Sequence, residues 1–160
     1  MMWKEGMTMK KLNRIRLINW QGFFDDTIDV EGSTLIVGDN GSGKSSLLDA
    51  LYFILSGGST KAFNSAASFK SKRSLETYIR GRTGEISHPD LRPDASLVSH
   101  ICLQFHDDVN KTDFCIGTVL ELDPSGLTRH FYRLMGNFPE DMFQGTDDNA
   151  KQVLDYSSMK

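Results

Sequence analysis

No run of this 160-residue chain approaches the roughly 18 apolar positions of a membrane span. The N-terminus lacks the apolar stretch of a signal peptide, so a cytoplasmic setting without a membrane is the default expectation. Cysteine is scarce. Cys102 and Cys115 have no CxxC or finger spacing, which argues against a disulfide framework or a zinc site and for two reduced, part-buried thiols. No two of His88, His100, His106 and His130 have helical metal-ligand spacing, and surface or core roles are expected for all four, although His100 and His106 share strand parity. Neither sign of charge prevails, with 18 Lys/Arg against 21 Asp/Glu. Their distribution is uneven: residues 57–106 hold seven basic residues against four acidic, and residues 107–160 five against ten. Lys61, Lys70, Lys72, Arg73, Arg80, Arg82 and Arg92 could serve phosphates of a nucleotide or of DNA, or form a solvated basic loop. The acidic end argues against the whole chain clamping nucleic acid.

Against these absences stands Gly38-Asp39-Asn40-Gly41-Ser42-Gly43-Lys44-Ser45-Ser46, which fills G-x-x-x-x-G-K-[ST] at every fixed position. Thr34–Val37 before it reads as a short buried strand, and Ser46–Leu55 after it as a helix with too many apolar residues for one stripe. Strand, glycine loop and helix is the order a P-loop requires. Gly38, Gly41 and Gly43 let backbone N–H groups face a phosphate, and the helix start adds unpaired N–H groups and the positive dipole end. Lys44 would reach the β and γ phosphates, Ser45 would ligate Mg²⁺, and Ser46 could donate to the α phosphate, with Asn40 and Ser42 completing the loop.

Met1–Met9 has no periodicity and reads as a disordered leader over residues 1–10, in which Met9 is a second candidate start. Lys11–Trp20 suits a strand with one buried face, Phe23–Val30 a second strand, and Trp20, Phe23 and Phe24 the strand core, with Trp20 and Gln21 also placed to reach a nucleotide base. Leu55-Ser56-Gly57-Gly58-Ser59 spells an LSGG signature but closes the P-loop helix, so it reads as a helix stop. Residues 59–95 form a basic insertion with a short helix near Ser74–Arg80, capped by Ser74. Ser96–His106, Thr112–Leu122 and Leu127–Met135 give an antiparallel meander turning at Asp123-Pro124-Ser125-Gly126, and the polar, acidic remainder reads as a loop and an incomplete helix.

A P-loop ATPase also needs an acidic residue at the end of an apolar strand to hold the metal. Ile101–Asp108 imitates one, but its polar insertions fit a half-exposed antiparallel strand better, and Val119–Pro124 alternates in the same way. A self-contained small NTPase or kinase would have to use Asp107 or Asp123. A non-enzymatic nucleotide- or DNA-binding module is the other alternative.

Leu17-Ile18-Asn19-Trp20-Gln21-Gly22-Phe23, the Gly38–Ser46 loop and Leu47-Leu48-Asp49-Ala50-Leu51 together resemble the opening of an SMC-type (structural maintenance of chromosomes) ATPase, within the SMC, MukB and RecF-like group. Arg73–Gly81 resembles a segment of the SMC-like subunit of Wadjet-type anti-plasmid systems. The resemblance implies an α/β fold: the N-terminal lobe of an ABC/SMC-type P-loop NTPase head over residues 11–160, with an antiparallel β portion and an incomplete C-terminal end. It implies ATP and Mg²⁺ as cofactors, a C-terminal lobe supplying signature motif and Walker B, and a second head of the same protein closing a composite site. Double-stranded DNA, kleisin-type subunits and a nucleoid location follow from the same likeness. Two family features do not match: no Q-loop is recognisable beyond Gln144 and Gln152, and Gln21-Gly22 stands where many SMC heads carry a basic or hydroxyl pair.

Overall fold

The computed structural model describes residues 9–61, 63, 74–82, 89–138, 140–147 and 150–159. Residues 1–8 of the expected leader, and Lys70, Lys72, Arg73 and His88, lie outside them.

Five strands form one antiparallel sheet in the order β2-β1-β3-β4-β5: β1 (Lys10–Trp20), β2 (Phe23–Asp29), β3 (Leu97–Asp107), β4 (Thr112–Asp123) and β5 (Gly126–Met135). Helices α1 (Lys44–Leu55) and α2 (Leu75–Arg80) cover one face, burying Leu47, Ala50, Phe53, Tyr78 and Ile79 against Ile15, Leu17, Trp20, Ile101 and Leu120. On the opposite face Phe138 and Phe143 pack over Ile18, Cys102 and Cys115. The meander and its Asp123 turn are as expected, and so is α2, where Ser74 and Thr77 make a reciprocal capping box. Gly57 and Gly58, both at positive φ, close α1 with N–H bonds to Ile54 and Phe53 carbonyls, the helix stop that the glycines imply.

Four expectations need correction. Thr34–Val37 belongs to no ladder, and Leu35 and Val37 are 84% and 76% exposed rather than buried. Helix α1 is covered on one side alone, and Leu48, Tyr52 and Leu55, one turn apart, form an exposed apolar stripe. β1 and β3 are covered on both faces, not one, because the C-terminal segment folds back under the sheet. That segment is a 3₁₀ turn (Glu140–Phe143) followed by a hairpin of β6 (Gln144–Asp147) and β7 (Ala150–Val153), where a loop and helix were expected.

Two asparagines break the alternation of β1. The register against β3 slips between Leu12 and Arg14, leaving Asn13 as the extra residue of a bulge. Asn19 sits at φ +52, a conformation Asn tolerates better than most side chains, and between Ile18 on one face and Trp20 on the other. Its Nδ2 donates to the Val98 carbonyl at 2.8 Å. Trp20 therefore turns back under α1, where its indole N–H donates to the Ser46 carbonyl at 2.8 Å and its ring stacks on Tyr78 at 4.5 Å. The end of β1 is thereby fastened to the first turn of the P-loop helix.

Candidate nucleotide site

The P-loop backbone has the angles that phosphate wrapping needs: Gly41 at φ +86 and Gly43 at φ +94, both costly for a side chain. Gly43 caps α1 without a side-chain bond, and the first intrahelical bond runs from Leu47 N–H to the Gly43 carbonyl at 2.9 Å. The N–H groups of Lys44, Ser45 and Ser46 precede that ladder and have no intrahelical acceptor, which makes this end a site for an anion. The Lys44 ammonium curls over the loop, donating to the carbonyls of Gly38 and Asp39 at 2.6 Å each and to Ser42 Oγ at 3.3 Å. The Ser45 side chain is exposed, whereas Ser46 is buried at the root of the helix. Donor N–H groups, a cation and an exposed hydroxyl on one loop fit a nucleotide triphosphate with its magnesium.

These residues line an open cleft of about 520 Å³. One side is Asn40–Ser46, and the other is Gln21–Phe23, Gly81 and Leu91. Gly38 is not in the lining; its carbonyl accepts from the Lys44 ammonium. Trp20 is fully buried core and not a base contact, while Gln21 does face the cleft. Phe23 joins the two sides, its ring lying 3.2 Å from where a Cβ on Gly43 would stand. Leu91 and Gly81 were not among the sequence candidates; 35 or more positions separate them from the P-loop, and no local pattern marks them.

Neither proposed metal carboxylate serves the cleft: Asp107 fails on position, and Asp123, although at the P-loop end of its strand, is absent from the lining and held within its own turn. Asp107 ends β3 beside Lys10, whereas Trp20, at the P-loop end of β1, lies beyond His100, so most of a strand separates Asp107 from the cleft. Its carboxylate accepts from the N–H groups of Val109 and Asn110 and from the Asn110 amide, bonds that hold its pKa down at about 2. Asp123 is exposed, and its Oδ1 accepts from the N–H groups of Ser125 and Gly126 and the Ser125 hydroxyl within its own turn. Asp107→Ala should therefore loosen the β3–β4 turn and leave ATP affinity within twofold of the parent in a calorimetric titration; a tenfold fall would restore Asp107 as a metal ligand. No cluster of three or more metal-ligating side chains occurs among the described residues.

The basic insertion is mostly committed to structure where it is described. Arg80 holds Glu76 and the Asp94 carbonyl, and Arg82 makes a two-point bridge to Asp90, whose carboxyl it holds below the usual range. Arg92 is buried. His100 is buried under Leu154, and His106 bonds Asp113 at 2.7 Å, so the two do not form a metal pair.

With this geometry in view, the chain can be compared with known proteins. Residues 12–70 match the family described as the P-loop containing region of AAA domain. The chain is also 31% identical, over 127 residues, to the chromosome partition protein Smc of Methanocaldococcus jannaschii. Together they support an SMC-like P-loop ATPase N-terminal region. The match covers 77% of this chain and 10% of that Smc protein, so the chain spans about a tenth of its relative's length. No helix among the described residues is long and apolar enough to cross a membrane.

Proposed function

We propose that this chain binds ATP with Mg²⁺ through Asn40–Ser46 and forms one half of a composite hydrolytic site in an SMC-like head. The observation that carries this reading is the segment that delivers the P-loop. Thr34–Val37 stands outside the sheet with Leu35 and Val37 in solvent, and on the other side of the loop in sequence the first helix exposes Leu48, Tyr52 and Leu55. Burying a Leu or Val side chain is worth roughly 1.5–3 kcal/mol, so a row of exposed ones flanking a ligand loop invites a covering partner. A C-terminal lobe would bring strands to pair with Thr34–Val37 and, at the end of one of them, the metal-holding acid that neither Asp107 nor Asp123 supplies. A second head would close over the cleft. In the whole protein, hydrolysis would serve DNA organisation or plasmid defence, with DNA and kleisin-type subunits as partners and the nucleoid as the setting.

The test is ATP–Mg²⁺ binding and steady-state hydrolysis by the purified chain, with Lys44→Ala beside it. Binding without turnover is expected. Removing the ammonium costs a charge-assisted contact worth about 2 kcal/mol, which is about 30-fold in affinity. Lys44-dependent turnover by the chain alone would overturn the composite site in favour of a complete small NTPase.

A further inference from the structure

The wall of the cleft facing the P-loop is assembled from three pieces distant in sequence: the β1–β2 turn at Gln21–Phe23, the end of α2 at Gly81, and Leu91. One side chain ties them together. Arg92 Nε donates to the Ile79 carbonyl at 2.5 Å, and Nη2 donates to the Gln21 carbonyl at 2.5 Å and to the Tyr78 carbonyl at 3.4 Å. Its own N–H reaches the Arg80 carbonyl at 3.1 Å, and the Phe24 ring lies 5.1 Å from its Cζ. Gln21 N–H completes the knot on the Tyr78 carbonyl at 2.7 Å. Space here is used up: a Cβ on Gly81 would stand 2.9 Å from the Gln21 carbonyl and 3.0 Å from Arg92 Nη2.

The chemistry of this contact is unusual for a structural arginine. Arg92 is 6% exposed, no carboxylate among the described residues pairs with it, and its Nη1 has no partner among them. Burial brings its pKa down to about 10, still charged at neutral pH. A planar fork reaching carbonyls of two elements at once is something an ammonium cannot imitate. Keeping a buried, acid-free guanidinium is costly, and the cost is spent on fixing the turn and helix end that face the P-loop.

We propose that Arg92 is a positioning residue for the nucleotide: it sets the Gln21–Phe23 and Gly81 wall at the distance that accepts the nucleoside half, while the P-loop takes the phosphates. This rests on the reading of the cleft as a nucleotide site. The wall then adds affinity for ATP and none for a bare phosphate chain.

The experiment compares ATP–Mg²⁺ with inorganic tripolyphosphate–Mg²⁺ by calorimetry on the parent chain, Arg92→Lys and Gly81→Ala. The parent should favour ATP. In both variants ATP affinity should fall about tenfold with tripolyphosphate affinity unchanged, since general loosening would weaken the two ligands alike. Hydrogen exchange on the parent chain needs no variant: ATP, but not tripolyphosphate, should slow the amides of Gln21–Phe23 and Gly81. An unchanged ATP preference in both variants, or equal protection by both ligands, overturns the role of Arg92. If tripolyphosphate binds but ATP gains nothing over it, the wall contributes no contact and the proposal also falls. If neither ligand binds the parent, the nucleotide reading itself fails.

Discussion

Gly117→Ala should lower the stability of this chain by about 3 kcal/mol, through a single methyl group. The register aligns Arg16, Cys102, Gly117 and Tyr132 in one row across β1, β3, β4 and β5. The Tyr132 ring lies along this row over Gly117, its hydroxyl facing the Cys102 and Cys115 thiols and its phenol pKa pushed well up by burial. A Cβ on Gly117 would enter the phenol ring at 2.5 Å and approach the Ile101 carbonyl at 2.7 Å. The carbonyl belongs to a central strand and cannot withdraw, and the ring can leave only by exposing itself and opening the packing beneath Phe138 and Phe143. At roughly 2–4 °C per kcal/mol for a chain of this size, the melting temperature should fall by about 10 °C. Adding Tyr132→Val to Gly117→Ala should recover part of the loss, giving a double variant more stable than the sum of the two single changes. A melting point within 2 °C of the parent after Gly117→Ala would show that the ring is not held over the glycine.

Gly117 was invisible in the sequence as a packing site, and the reason is general to this fold. Elements with local causes were legible: the P-loop from its fixed residues, α2 from Ser74 and its cap, the meander from Asp123-Pro124-Ser125-Gly126, the end of α1 from Gly57 and Gly58. What depended on distant partners was not. Leu12, Ile15, Leu17 and Trp20 all face the helices, a 3-2-3 spacing that fits no strand period, because Asn13 and Asn19 each reset the alternation. Thr34–Val37 has the composition of a buried strand, and burial failed for want of a neighbour rather than of apolar residues. The same division holds at the site. Asn40–Ser46 could be named from a motif, whereas Gln21, Gly81, Leu91 and Arg92 meet only when β1 and α2 are laid side by side.

Acid should weaken the chain before its carboxylates titrate, and His100 is the reason. The ring is fully buried on β3 between the Leu154 carbonyl, 2.7 Å from Nε2, and the Phe143 ring, whose centroid lies 5.2 Å away. Nε2 is thus the protonated nitrogen and Nδ1 is left without a partner. Burial lowers the His100 pKa from 6.5 to about 4; the Leu154 carbonyl opposes this, and the Arg16 charge adds to it. Between those two pH values the unfolded chain holds a proton that the folded chain does not, so stability rises with pH across the window. The full contribution is present above pH 6.5, falls away as the pH drops through 6 and 5, and is lost by pH 4. At about 1.4 kcal/mol per unit, the loss amounts to roughly 3 kcal/mol. Urea unfolding at pH 7.5, 6, 5 and 4 measures it, and the His100 imidazole C–H resonance, followed over the same range, assigns it. Stability that stays level from pH 7.5 to 5, or a His100 resonance titrating near 6.5, would place the ring in contact with water. It would also detach the 140–159 segment from the sheet face it covers, since Leu154 and Phe143 are what keep His100 dry.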